Sequence, residues 1–420
     1  MSKPDVPTVN FDHWGPEYAA DPIAHNLEYS AKCPVAYSEH HGGFWFVTGY
    51  DEVAQVARDD TTFSCHHDLP NGSTPFLGTQ HPPTPFRVTP LEVDPPQHAK
   101  WRTGLAKLFT PVAVKQKYLP KIREYTAWCI DQCIESGHAD LVRDIASPVP
   151  SLVNMDVMGV PLERGFEFAE LSHAIVYTNP DTPEYAQVYQ DYADAVASLE
   201  SLVHQRRIDP RDDVITALAH LEIDGERIQD HEVMEVLDLV ISAGIDTTAS
   251  ALACSLKYLD DHRDLRARLI DEPECIPQAV EEFLRMFSPV QVLARTATRD
   301  VELGGYTIGA GERVLISWAA ANVDQREFDC PDQIMVERTP NRHAAFGLGI
   351  HRCIGSHIAR ADMGVVLSEI LRRMPDYELQ DGVEKYGSIG VIQGYGLLPA
   401  RFTPGPRIGG VSALDSLLAH

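Results

Sequence analysis

Apolar positions recur along most of this chain at the three-to-four-residue spacing of helices, and only short runs alternate as strands do. Val35 to Tyr37 and Phe44 to Val47 read as two short strands joined across His41-Gly42-Gly43 in a hairpin, and Asp51 to Arg58 then reads as a helix. A further helix opens at Asp94-Pro95-Pro96-Gln97-His98, with Trp101, Leu105, Leu108 and Phe109 following at helical spacing. Lys115 to Leu221 is dominated by helical patterns, broken at Pro148-Val149-Pro150, Asn179-Pro180 and Asp209-Pro210. The longest uninterrupted signal runs from Asp230, read as the N-cap, to about Asp261. It contains no proline and sets Val233, Val236, Leu237, Val240 and Ile241 on one side. At 1.5 Å per residue it would span roughly 45 Å, enough to cross a domain. Between Val301 and Ile316, alternating apolar residues and two Gly-bearing turns predict small antiparallel hairpins.

Three stretches depart from this pattern. Leu69 to Pro96 carries eight prolines and few helix signals, too long for a simple connection. Phe76, Leu77, Phe86 and Val88 give it apolar anchors, which favours an ordered lid over a linker. The middle of the long helix reads Ala243-Gly244-Ile245-Asp246-Thr247-Thr248, where a Gly, an Asp and two Thr are poor choices for a buried helix interior. Either the helix kinks there with hydroxyls bonded back to carbonyls, or the cost has a functional purpose. Finally, Phe346-Gly-Leu-Gly-Ile-His-Arg-Cys-Ile-Gly355 turns on glycines and ends where a helix begins near Ser356. Backbone N–H groups at that helix start, with Arg352, would lower the pKa of Cys353 and favour the thiolate, the form that ligates iron.

Composition narrows the picture. The 420 residues are 44% hydrophobic and 23% charged, as in ordinary soluble globular proteins. Thirty-five basic against 61 acidic residues give a formal charge of −26, which argues against phosphate-neutralising contact with nucleic acid. Met1 to Asn26 holds no long apolar run, so neither a signal peptide nor a membrane anchor is expected and the default location is the cytoplasm. The eight cysteines form no CxxC pair and no disulfide framework. Cys129 and Cys133, one helical turn apart, read as helix packing, and the sequon Asn71-Gly72-Ser73 carries no weight without export.

The ten-residue pattern Phe-x-x-Gly-x-His-x-Cys-x-Gly over 346–355 resembles the haem-ligand signature of the cytochrome P450 monooxygenases, and further motifs follow in that family's order. His98 and Arg102, after Asp-Pro-Pro and one turn apart on one helix face, match the family's propionate-binding His-x-x-x-Arg, and Trp101 between them reads as core. Glu282-Phe283-Leu284-Arg285 matches its Glu-x-x-Arg, completed by Arg338 as a structural triad behind the cysteine loop. Gly159-Val160-Pro161 also fits.

The resemblance covers Val35 to about Phe402. It implies a mainly α fold with a small β-rich lobe, a single haem domain over 1–404, and a poorly specified extension over 405–420. Cys353 would be the axial ligand of haem b, with Phe346 and Gly355 beside it, Ala243 and Gly244 approaching the haem face, and Arg295 and His343 as further propionate partners. Asp246 and Thr247 would manage protons beside bound O2. Leu239, Ser242, Val290, Val292, Leu293 and Ile392 would line the substrate pocket under the lid, near the turn Val391 to Gly394. The implied activity is hydroxylation of a small hydrophobic substrate: a terpenoid, fatty acyl, steroid or aromatic compound. Electrons would come from NAD(P)H through a reductase and a ferredoxin attracted by Lys100, Lys107, Arg342, Arg352 and Arg360, and the enzyme would be a soluble monomer. A peroxide-driven peroxygenase and a non-catalytic haem sensor are the alternatives; the intact Asp246-Thr247 pair weighs against the first, and the lack of a visible output domain against the second.

Overall fold

The computed structural model describes residues 6–68, 76–84, 87–179, 182–387, 389–409 and 414–415. Its axis is the helix Asp230–Asp261, 32 residues with no proline in its interior. The start differs by one residue from expectation. Gln229 is the N-cap, its N–H donating to Glu232 Oε2 (2.7 Å) in a capping box, which frees Asp230 to accept from Arg207 Nε (2.6 Å). Val233, Val236, Leu237, Ile241 and Ile245 bury one side against the helices Pro148–Met158, Gly165–Tyr177 and Ser356–Arg373. Among the described residues this is the one helix long and apolar enough to cross a membrane, and it lies in the protein interior.

The sequence breaks fall at helix ends. Pro148 occupies the first turn of Pro148–Met158, where its missing N–H is one that no intrahelical acceptor needs. Asp209 closes Glu200–Ile208. Pro180 lies outside the described residues, as do Asn71 and Phe86. Cys129 and Cys133 are buried in the helix Leu119–Cys133 and serve packing.

The β-rich lobe is built on one five-stranded sheet in the order Val35–Ser38, Phe44–Val47, Arg313–Ser317, Val292–Ala297, Phe63–Ser64. The first two strands form the expected hairpin, Val35 opposite Val47. The series of hairpins expected over 301–316 is a single one, Val301–Leu303 with Tyr306–Ile308. Arg313–Ser317 instead crosses into the large sheet, parallel to Phe44–Val47 and antiparallel to Val292–Ala297. All five of its residues are buried, as a strand covered on both faces requires. Val292–Ala297 alternates: Val292 and Ala294 pack with Phe11, Tyr18 and Phe46, while Leu293 and Arg295 project to the helical side.

The described parts of the proline-rich segment are ordered around a carboxylate more than around apolar anchors. Leu77 is exposed, whereas Glu92 is fully buried and accepts from Thr79 N (2.7 Å), Thr79 Oγ1 (2.9 Å) and Val88 N (3.1 Å), with His67 Nδ1 at 3.1 Å. The C-terminal stretch is also better specified than expected. Gly409 N donates to Asp131 Oδ2 (2.8 Å), Gly405 N to Ile134 O (3.1 Å), and Leu414 is buried in the helical core.

Candidate active site

The cysteine loop is pressed against the helix Tyr50–Arg58: Gly349 sits at φ +71°, and a Cβ there would stand 2.2 Å from Ala57 O. Cys353 N donates to Phe346 O (2.8 Å), and Gly355 caps the helix Ser356–Arg373. The sulfur opens into a cavity of about 310 Å³ while protein surrounds it. That enclosure raises the thiol pKa, against the expected depression; the Gly355 N–H and the charges of Arg102, Arg352 and Arg360 pull the other way and only partly offset it. A bound metal ion would hold the thiolate here, because coordination deprotonates a thiol outright.

Behind the loop, Glu282, Arg285 and Arg338 meet. Arg285 donates to both Glu282 oxygens (Nε 2.7 Å, Nη2 3.1 Å) and Arg338 Nε to Oε1 (2.9 Å). Met335 N (2.7 Å) and Asn341 Nδ2 (3.0 Å) also donate to Glu282, so one buried carboxylate gathers the irregular chain ahead of Cys353.

Across the cavity, the long helix contributes Ala243, Gly244 and Thr247. Thr247 Oγ1 donates back to Ala243 O (2.8 Å). Asp246, its neighbour, turns away from the cavity and is 1% exposed. Its Oδ1 lies 3.2 Å from His173 Nδ1, its Oδ2 has no partner among the described residues, and the Tyr386 hydroxyl contacts the same imidazole. Burial raises the Asp246 pKa, with the His173 hydrogen bond and charge opposing. Gly244 does a second job beyond bordering the cavity. Asn154 Nδ2 donates to Val240 O (2.9 Å) through the space where a Gly244 Cβ would sit, 2.0 Å away. His173, Tyr386 and Asn154 had no sequence signal, since each belongs to another element.

His98, Arg102 and Arg295 border the cavity, Arg102 reaching the Arg352 carbonyl and Arg295 Nη1 donating to Ala294 O (2.8 Å). His343 does not: its Nε2 pairs with Glu281 Oε2 (3.0 Å). Arg360 also holds Glu281 (Nε 2.6 Å, Nη2 2.8 Å); against the opposing effect of burial, these hydrogen bonds take the carboxyl down to about 2. His351 stands at the cavity instead, its ring 4.2 Å from that of His98 and both nitrogens buried without a hydrogen-bond partner among the described residues. It is the His of the ten-residue pattern itself, so its signal lies in the motif that carries Cys353. Of the expected pocket residues, Leu239, Val290 and Leu293 line the cavity. Val292 faces the other side of its strand, Ile392 is buried in a backbone bridge to Val290, and Ser242 Oγ bonds back to Asp238 O (3.0 Å).

This donor set fits a metalloporphyrin: a sulfur ligand, unpartnered His351 beside Arg102 and Arg295 for anionic groups, and apolar walls formed by Leu105, Val153, Val240 and Leu293. The cytochrome P450 family model matches residues 178–384. Nocardicin C N-oxygenase of Nocardia uniformis is 35% identical over 339 residues, covering 80% of this chain and 83% of that protein. The chain belongs to the cytochrome P450 family. A steroid C26-monooxygenase of Mycobacterium tuberculosis is 34% identical over 339 residues, covering 79% of this P450 and 84% of that one. The solved structure of the bacillaene polyketide synthase P450 PksS from Bacillus subtilis superposes with a TM-score of 0.82 at 27% identity, covering 94% of this chain and 100% of that one. As a P450 the protein is a haem-dependent monooxygenase, an oxidoreductase with the mainly α fold of that family.

Proposed function

We propose that this P450 hydroxylates a C–H bond of a small hydrophobic molecule, using O2 and electrons delivered from NAD(P)H through a ferredoxin. The observation that carries this reading is that Cys353 and Thr247 border a single cavity whose other walls are largely apolar. Haem bound through Cys353 supplies the oxygen chemistry, the thiolate being a strongly electron-donating ligand. Around it, His98, Arg102, Arg295 and His351 offer donors to anionic groups, while Phe346 and Gly355 flank the sulfur. Thr247 must release Ala243 O to present its hydroxyl proton to the cavity. Asp246 keeps a proton available because it is buried, and His173, with its side chain 34% exposed, links it toward solvent. A swing of Asp246 from His173 to Thr247 completes the proton path.

Steroid and polyketide chemistry in the names of the relatives, together with the apolar lining, supports a bulky apolar substrate over a charged one. For electron delivery, Arg342, Arg360 and Lys100 are engaged with Glu327, Glu281 and Asp224. Lys107 and Arg352 are exposed and best placed to meet an acidic ferredoxin.

The test is reconstitution with ferredoxin, ferredoxin reductase and NAD(P)H across a library of steroids, polyketides, terpenoids and fatty acids selected by the low-to-high-spin shift. Product carrying oxygen from labelled O2 is expected, with reduction slowing as salt rises. In Thr247→Ala, cofactor oxidation should continue while at least half of the reducing equivalents divert to peroxide. Turnover only with added hydrogen peroxide would establish the peroxygenase alternative. Lack of the thiolate-type band in the reduced carbon monoxide complex would remove Cys353 as ligand.

A further inference from the structure

We propose that Asp12, His13 and His41 form a binding site for a zinc-type divalent ion, outside the haem cavity, that clips the N-terminal segment onto the five-stranded sheet. The backbone brings these residues together. Tyr37 N donates to Pro7 O and Val9 N to Tyr37 O (both 2.9 Å), so the N-terminal segment runs beside the first strand, and His41 sits on the turn that follows that strand. One ligand atom from each of the three residues lies within 4.8 Å of the others. Zinc bonds of about 2.0–2.2 Å place tetrahedral ligands roughly 3.4 Å apart, a spacing within the reach of these side chains.

An independent observation points to a ligand. His13 is 1% exposed, and its Nε2 lies 2.5 Å from His81 O. A carbonyl only accepts, so Nε2 carries the proton and Nδ1 is left as a bare lone pair. Nδ1 is buried with no hydrogen-bond partner among the described residues. An imidazole that donates one N–H to a backbone carbonyl and turns its other nitrogen to a cation is the arrangement that orients metal-bound histidines. Asp12 supplies the anion. The His41 ring (2.8 Å) and the Trp14 N–H (2.9 Å) both meet Oδ1, while the His40 ring lies 3.9 Å from Oδ2. His81 is 94% buried with its ring 6.0 Å from that of His41; it stands outside the three-residue grouping and is joined to it through the His13 bond to its carbonyl, which leaves the fourth position to water. Two imidazoles with one carboxylate select zinc over calcium or magnesium, which prefer all-oxygen shells. Because His81 belongs to the proline-rich segment, the ion would tie that segment and the N-terminus to one point.

The test uses haem-loaded enzyme, stripped with a chelator and dialysed against micromolar Zn2+, with zinc and iron counted by mass spectrometry and affinity measured by calorimetry. One zinc per chain beyond the haem iron is expected. Asp12→Asn and His41→Asn should each weaken binding at least tenfold with an unchanged carbon monoxide spectrum. Asn is chosen at 41 because that residue sits at φ +49°. X-ray absorption at the zinc edge of the unaltered protein decides the matter without any variant, and a shell of nitrogen and oxygen near 2.0 Å is expected. Failure to retain zinc, unchanged affinity in both variants, or sulfur in the shell would overturn the site. Sulfur would assign the ion to the other potential grouping, Cys65, Asp94 and His351.

Discussion

Gly244 shows how a residue-level rule reverses in context. Replacing a mid-helix Gly by Ala ordinarily stabilises by about 1 kcal/mol. Here the new Cβ would lie 2.0 Å from Asn154 Nδ2, and overpacking of that kind costs about 1–3 kcal/mol. Gly244→Ala should therefore destabilise the protein, and in an Asn154→Ala background the same change should stabilise it. Urea midpoints of the four proteins measure the coupling. The residue types in this stretch were legible as a departure from helix preference, whereas their partners were not: Asn154, His173 and Tyr386 reach it only through tertiary packing. His343 and His351 carry the same lesson. Both lie close to Cys353 in sequence, and what separates them is Glu281, which takes His343 with Arg360 and leaves His351 to the cavity. Asp238 offers a pH reading. Burial, with help from Glu235 and against the Tyr192 hydrogen bond, pushes its pKa up to about 6. The folded state then holds a proton that the unfolded chain releases near pH 4, so this stabilisation is complete below pH 4 and lost as pH rises through 6. Between those values the melting temperature of Asp238→Asn should rise relative to that of the unaltered protein.

At the scale of elements, most of the organisation was visible in advance. The long helix, the first hairpin and the helix after Cys353 follow from periodicity, proline placement and capping. The exceptions are strands whose partners are remote: Arg313–Ser317 reads locally as part of a hairpin, yet all five of its residues are buried between two other strands. The triad behind the cysteine loop joins a helix to an irregular segment, and Glu282 accepts five hydrogen bonds there. Glu282→Gln removes the charge from a buried pair and leaves two guanidinium groups uncompensated. Such a change costs about 3–5 kcal/mol. The variant should lose haem on gel filtration at a temperature where the unaltered enzyme retains it.

For the whole molecule, the described residues 405–409 and 414–415 of the C-terminal stretch are bonded to the helical core. Asp131 bonds Arg373 and the backbone N–H groups of Ile408 (3.2 Å) and Gly409 (2.8 Å), and Trp128 Nε1 donates to Asp415 (2.9 Å). Deleting 405–420 uncovers that buried pair, and a loss of about 1–3 kcal/mol in urea unfolding is expected, with the carbon monoxide spectrum unchanged. These contacts were illegible because Gly, Ser and Leu without periodicity give no local signal, and the groups that hold Ile408, Gly409 and Asp415 lie in the helix Leu119–Cys133. A different kind of constraint lies in Val292–Ala297, whose odd-numbered and even-numbered positions belong to different compartments. Adding or deleting one residue ahead of this strand would exchange the two sets, sending the Arg295 cation into the aromatic cluster around Phe11 and an alanine to the cofactor wall. Length variation among descendants of this sequence should therefore be accepted in the surface hairpin at 301–308 and, just before the strand, survive only in steps of two.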